Sequence, residues 1–223
     1  MEAIMADQVT IQVVSDFVCP WCFVAKRRLE KALAERPNLE VRVEWLPFQL
    51  SPDMPPEGKL RQAHYEDIFG VERAAVIMGS MRDTGKDEGI EFGSSETAMS
   101  PNTLAAHCLL YWAQEDSRVD ANEVAEKLFV AHHEDCEDIG SVDVLVDIAN
   151  RSGMDASAIR QQLKDYQDQV VVNEMMQQVR ASQVSGVPFF VLDGQYALSG
   201  AQPVDILLQA LDDLGKNAPS DTI

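Results

Sequence analysis

The chain has 223 residues, 46% of them hydrophobic, which is enough to fill the core of one large domain or two small ones. Its 18 basic and 37 acidic side chains leave a formal charge of −19, which argues against nucleic acid and anionic membrane surfaces as partners. No apolar run approaches a membrane span, and residues 1–7 carry neither a basic n-region nor an apolar h-region, so a cytoplasmic protein without a signal peptide is expected.

The first element is a strand over 9–14, carried by Val9, Ile11, Val13 and Val14. A helix over 20–36 follows, opened by Pro20, and then a strand over 41–46. Between Pro47 and about Gln183 strand signals vanish and helical patterns replace them. Pro55-Pro56-Glu57 starts a helix that continues through Leu60 and Tyr65 to near Ile68, and a second covers 71–81. Asp83-Thr84-Gly85-Lys86-Asp87-Glu88-Gly89 reads as a loop. Ser100-Pro101-Asn102 caps a helix running to about Gln114, and 121–133 places Val124, Ala125, Leu128 and Phe129 at helical spacing. Further helices start at Ser141, ending near Gly153, at Asp155, and over 166–182. Phe189 to Leu192 is β-rich, Asp193-Gly194 signals a two-residue hairpin, and the chain returns over 196–198. Pro203 opens a last helix with Ile206, Leu207 and Leu211, and the tail after Gly215 reads as polar and frayed.

The two ends therefore supply β-α-β and β-β-α. That is the α/β layout of a thioredoxin-like fold with an inserted all-helical domain. The expected boundaries are 1–50 and 184–223 for its two halves and 51–183 for the insert.

Cys19-Pro20-Trp21-Cys22 sits where the first strand enters the first helix. Two thiols two residues apart, on a strand-to-helix turn, read as a redox motif. Each sulfur reaches the other across one helical turn. Cys19 falls at the N-cap, where free N–H groups and the positive end of the macrodipole favour its thiolate. Cys22 lies deeper. The division of labour that follows gives Cys19 to the substrate and Cys22 to resolution of the mixed disulfide. The bland alternatives are half of a zinc site, which lacks a second C-x-x-C here, and an inert core pair. Trp21, between the cysteines, must lie near the surface if Cys19 does, and it tunes the redox poise. Asp16, three residues ahead, is suited to tying the loop by accepting backbone N–H bonds.

The chain resembles the DsbA-like thioredoxin family, and within it the FrnE-type subgroup. The matching stretches are Asp16-Phe17-Val18-Cys19-Pro20-Trp21-Cys22, then Ser100-Pro101-Asn102-Thr103-Leu104-Ala105-Ala106-His107, then Gly186-Val187-Pro188-Phe189-Phe190 with Ser199-Gly200-Ala201-Gln202. The resemblance implies a cis peptide at Val187-Pro188 facing the cysteines, with the Val187 backbone free to pair with an extended substrate strand. It also implies thiol–disulfide exchange with proteins or small thiols. No dissociable cofactor is needed, and glutathione is a candidate co-substrate. Some FrnE-type relatives carry an extra cysteine pair near the C-terminus, but this chain has no cysteine after Cys136.

Phe17, Phe23, Phe48 and Met78 are candidates, with Trp21, for an apolar surface around Cys19. His107, Cys108, His132, His133 and Cys136 form a suggestive set for a metal or a second disulfide. The simpler reading makes Cys108 a small core residue, and no metal site is expected. Two other functions compete with redox exchange. Isomerases of 2-hydroxychromene-2-carboxylate and kappa-class glutathione transferases share the fold, with serine at the first motif position. A glutathione-dependent isomerase or transferase of a small aromatic or polyketide-like molecule is therefore the alternative. A chaperone-like binder is the third reading, and it alone predicts that Cys19→Ser leaves function intact. The substrate, the direction of electron flow and the oligomeric state are open at this level.

Overall fold

The computed structural model describes residues 8–217; the reading of the opening segment and most of the tail lie outside them. In chain order the elements are β1 (Val9–Ser15), α1 (Pro20–Ala34), β2 (Val41–Pro47), β3 (Lys59–Leu60), α2 (Arg61–Phe69), α3 (Val71–Glu88) and β4 (Met99–Ser100). Then come α4 (Leu104–Glu115), α5 (Ala121–His133), α6 (Val142–Arg151), α7 (Ala156–Lys164), α8 (Gln169–Ala181), β5 (Phe189–Leu192), β6 (Tyr196–Ser199) and α9 (Val204–Asn217).

β1 is apolar on both faces: Ile11, Val13 and Val14 are all buried. Such a strand belongs inside a sheet. The order β2-β1-β5-β6 puts it there. β2 runs parallel to it, from Val9 opposite Val41 to Ser15 opposite Pro47. β5 runs antiparallel, with Ile11 opposite Leu192 and Val14 opposite Phe189. β5 and β6 form a hairpin whose turn residues, Asp193 and Gly194, both have positive φ. The outer strand β2 is covered at Trp45, whose backbone N–H and C=O both bond to the side-chain amide of Gln114.

α9 and α3 pack on α1, whereas α4 and α8 lie against β2. Phe129 of α5 sits at the centre of the core. Its ring lies 5.1 Å from Phe17, 5.3 Å from Phe23 and 6.3 Å from Trp45. Helices α4 to α8 thus share one apolar cluster with the sheet. This class of architecture, mixed α/β and thioredoxin-like with several added helices, agrees with the sequence reading.

Four local expectations need correction. The helix assigned to Pro55 begins at Arg61. Residues 55–58 form a turn instead, with the Gly58 N–H donating to Pro55 O and φ of 71° at Gly58. Lys59 and Leu60 then pair with Ser100 and Met99, so the stretch after Pro47 is not free of strand. Two residues carry no periodicity; their pairing partner is about 40 residues away. Second, α3 does not stop at Met81 but runs through the supposed loop to Glu88. Gly85 is a packing residue: a Cβ there would lie 2.5 Å from the Phe92 ring. The helix ends at Gly89, which is left-handed. Third, Ser100 belongs to β4 and Thr103 is the N-cap residue of α4, so of the expected capping stretch only Asn102 serves the helix start, its Oδ1 accepting the Leu104 N–H. Fourth, Tyr166 and Asp168 have positive φ, which delays α8 to Gln169.

Candidate functional site

β1 ends at Ser15, and a tight loop carries the chain into α1. The Cys19 N–H donates to Asp16 O at 3.0 Å, and Cys19 is the extended N-cap residue of α1. Pro20 occupies the first turn, where a missing N–H costs no helical bond. Asp16 is buried and its Oδ2 accepts the Leu50 N–H at 2.8 Å, tying this loop to the segment after β2. Its Oδ1 lies 3.5 Å from His107 Nε2, which faces Phe48 O at 3.0 Å.

Cys19 and Cys22 are both free and both buried, Cys22 the deeper at 2% exposed. Burial is the main cause that raises the Cys22 thiol well above its ordinary value, and the hydrogen bond and charge of Cys19 add to it. The nearby Ser15 side chain and the Asp16 backbone oppose that rise. Cys19 Sγ is 3.8 Å from Val187 O, and the Val187–Pro188 peptide is cis. Two segments 168 residues apart in sequence thus meet at one sulfur.

Cys19, Pro20 and Trp21 also line a cavity of about 160 Å³. Its other walls come from Leu50, from Tyr65, Ile68 and Phe69 of α2, and from Ile77 and Met81 of α3. Trp21 is 36% exposed, in keeping with its position between the cysteines. Burial, and then the nearby Cys19, raise the Tyr65 phenol to about 12, so it stays a hydrogen-bond donor at neutral pH. Burial, and then Lys59, lower the His64 imidazole.

The apolar residues around Cys19 differ in part from those expected. Phe17, Phe23 and Phe48 are core, not groove. Met78 lines a smaller cleft of about 40 Å³ with Arg61, His132 and His133. The groove residues of α2 escape the sequence reading. Their signal is nevertheless present: Ile68 and Phe69 are large apolar side chains in a helix with no buried residue.

The histidine and cysteine set separates. His107 stays beside Asp16. Cys108 is buried in α4, and burial followed by Asp168 pushes its thiol up to about 12. α5 ends at His133, so Cys136 is not one turn beyond His132; it has φ of 57° and stands beside Gly93. Both cysteines are free. Among the described residues no three His, Cys, Asp or Glu side chains are grouped to hold a metal ion, and no helix is long and apolar enough to cross a membrane.

Comparison with known proteins returns one family model, described as a DSBA-like thioredoxin domain, matching residues 10–212. A curated relative, the uncharacterized protein YwbO of Bacillus subtilis (strain 168), is 27% identical over 207 residues, covering 92% of this chain and 96% of its own. Among solved structures, a probable DsbA oxidoreductase from Streptomyces coelicolor superposes with a TM-score of 0.86 at 28% identity, over 97% of this chain and 94% of that one. The cytosolic disulfide reductase DsbM from Pseudomonas aeruginosa, solved also with glutathione, has a TM-score of 0.62 at 16% identity over 93% of this chain and 98% of its own.

Proposed function

The chain belongs to the DSBA-like thioredoxin domain family, and from that premise we propose that it is a thiol–disulfide oxidoreductase working through Cys19 and Cys22. Its motif stretches favour the FrnE-type subgroup. The observation that carries the reading is the asymmetry of the pair. Cys19 caps α1 and borders an open groove, while Cys22 sits one turn behind it with its proton held by burial.

In the reducing direction the Cys19 thiolate attacks one sulfur of a substrate disulfide. That S–S bond breaks, a Cys19–substrate bond forms, and the other substrate sulfur leaves and takes a proton. Cys22 then gives up its proton and attacks Cys19 Sγ. The internal disulfide forms and the second substrate thiol departs, so the substrate gains two electrons and two protons. Oxidation is the same path reversed. The groups that oppose the rise of the Cys22 thiol, Ser15 and the Asp16 backbone, support it in the resolving step. In this reading the backbone at Val187, 3.8 Å from Cys19 Sγ, aligns an extended substrate segment. Trp21 supplies an apolar contact beside the exchanging sulfur, and Pro20 with Asp16 fixes the loop. Disulfide- or thiol-containing proteins or small thiols are the substrates, and a cellular thiol such as glutathione recycles the pair.

The test is equilibration of the purified protein in graded reduced and oxidised glutathione, with the Cys19–Cys22 disulfide quantified by mass. A reversible two-electron transition is expected, and Cys22→Ser should accumulate a Cys19 mixed disulfide. Failure to form the internal disulfide, with only bound glutathione accumulating, would sink the dithiol mechanism in favour of a glutathione-dependent isomerase.

A further inference from the structure

The groove beside Cys19 carries information about what a substrate sulfur is attached to. Its volume is about 160 Å³. A cavity of about 150 Å³ lined by leucine, isoleucine and phenylalanine side chains holds one benzene ring. Here the apolar walls are Trp21, Leu50, Ile68, Phe69, Ile77 and Met81, with Ser51, Tyr65 and Ser100 as uncharged polar groups at the lining. Leu50, Ile68 and Phe69 leave 49%, 54% and 38% of their surface in water, so apolar area remains for a ligand to cover.

Charge points the same way. Among the described residues, none of the side chains lining the groove is a lysine, arginine, aspartate or glutamate. Its one histidine, His64, is lowered by burial, which favours the neutral ring. Lys59, the basic group that acts on His64, is paired with Asp67 at 3.5 Å. Arg61 lines the adjoining cleft, beyond the shared Tyr65 and Met81, and its Nη2 donates to His132 O at 2.6 Å. Glutathione brings two carboxylates, an ammonium and a tripeptide backbone. Desolvating those charges without partners is unfavourable, and the whole molecule exceeds one ring in size.

We propose that this groove selects substrates whose exchanging sulfur carries an uncharged, apolar group about one aromatic ring in size, and that it discriminates against glutathione disulfide as a direct substrate. The inference rests on the exchange chemistry proposed above and names its substrate class. The step is the one already balanced: the substrate S–S bond breaks, and Cys19 takes the sulfur that bears the ring. Glutathione then acts at most as a slow reductant of the internal disulfide.

The experiment uses the reduced full chain with three disulfides: 4,4′-dithiodipyridine, bis(2-hydroxyethyl) disulfide and glutathione disulfide. Second-order rates of Cys19 oxidation are divided by those of a short cysteine peptide with the same reagents, which removes intrinsic leaving-group differences. High salt screens the long-range repulsion of a chain of charge −19. The normalised rate for the neutral aromatic disulfide should exceed both others by about tenfold or more, a usual scale for an apolar pocket. Ile68→Lys, at an exposed position, should erase most of that preference. Equal normalised rates, a preference for glutathione disulfide, or a preference unchanged in Ile68→Lys would overturn the inference while leaving the exchange chemistry standing. If none of the three disulfides reacts faster with the protein than with the cysteine peptide, the exchange chemistry falls, and this inference with it.

Discussion

Acid should weaken this fold through two buried histidines at the end of α5. The His133 ring is 5.9 Å from Phe23, 6.2 Å from Phe129, 5.5 Å from Phe92 and 4.6 Å from His132. Burial, and then the positive charge of Arg61, lower its imidazole to about 3. Burial, then His133 and Arg61, hold His132 well below its ordinary value as well. In the unfolded chain both titrate near ~6.5. Below that pH the unfolded state takes up protons that the folded state refuses. Stability is therefore complete above pH ~6.5 and is lost as pH falls, until the folded value is reached. The slope is about 1.4 kcal/mol per pH unit per histidine, which integrates to about 2 kcal/mol for His133 between pH 7 and 5. His132 adds in the same direction. Ordinary carboxylates titrate mostly below this window, and Glu134, raised by burial, acts with the opposite sign. The assay is urea unfolding followed by tryptophan fluorescence at several pH values from 7 to 5, for the wild type and for His133→Phe. Phenylalanine keeps the ring stack, and its loss of the bond to the Phe17 backbone shifts both ends of the comparison alike. The variant's stability should depend on pH less, by about 2 kcal/mol over the interval. Parallel curves would refute the reasoning.

Three further outcomes are expected. Phe129→Ala should cost about 3–5 kcal/mol in urea unfolding, because a fully buried ring that bridges α1, β2 and the motif loop leaves a cavity the sheet cannot close. Asp16→Ala strands the Leu50 N–H and should cost about 1–3 kcal/mol, whereas Asp16→Asn, with an amide oxygen still able to accept, should recover part of it; melting curves separate the two. Gly85→Ala should destabilise by about 1–3 kcal/mol despite the better helix former, since its methyl meets the Phe92 ring, and a gain in stability would show that Phe92 yields.

Much of the fold is legible in the sequence because its signals are local. α5 spans the residues its periodicity marks, Asp193-Gly194 turns the hairpin, and Pro20 marks the start of α1. The misreadings share a physical cause. Gly85 lies in a polar stretch that composition assigns to a loop, and only the approach of Phe92 from outside the helix explains a glycine there. Lys59-Leu60 is strand because Met99-Ser100 is beside it. At the candidate site, spacing alone points to Cys19 and Cys22, but it does not show which apolar side chains face them. Phe17 and Phe48 are close in sequence to the motif or its tether, yet they point into the core. Ile68 and Phe69 lie some 50 residues away and face it. Distance along the chain is a poor guide to the lining of a cavity built by a helical hairpin.

The central position of β1 has a consequence for synthesis. β1 and its parallel neighbour β2 leave the ribosome early, but β5, which covers the other edge, is made late, ahead of only β6 and α9, with Val187 168 residues behind Cys19. At ordinary elongation speeds that gap lasts roughly ten to thirty seconds. For that time a strand whose Ile11, Val13 and Val14 are buried in the finished fold has one unpaired edge, with two thiols at its end. The nascent chain is therefore at its most adhesive, and its cysteines at their least discriminating, just before the last fifth of the sequence arrives.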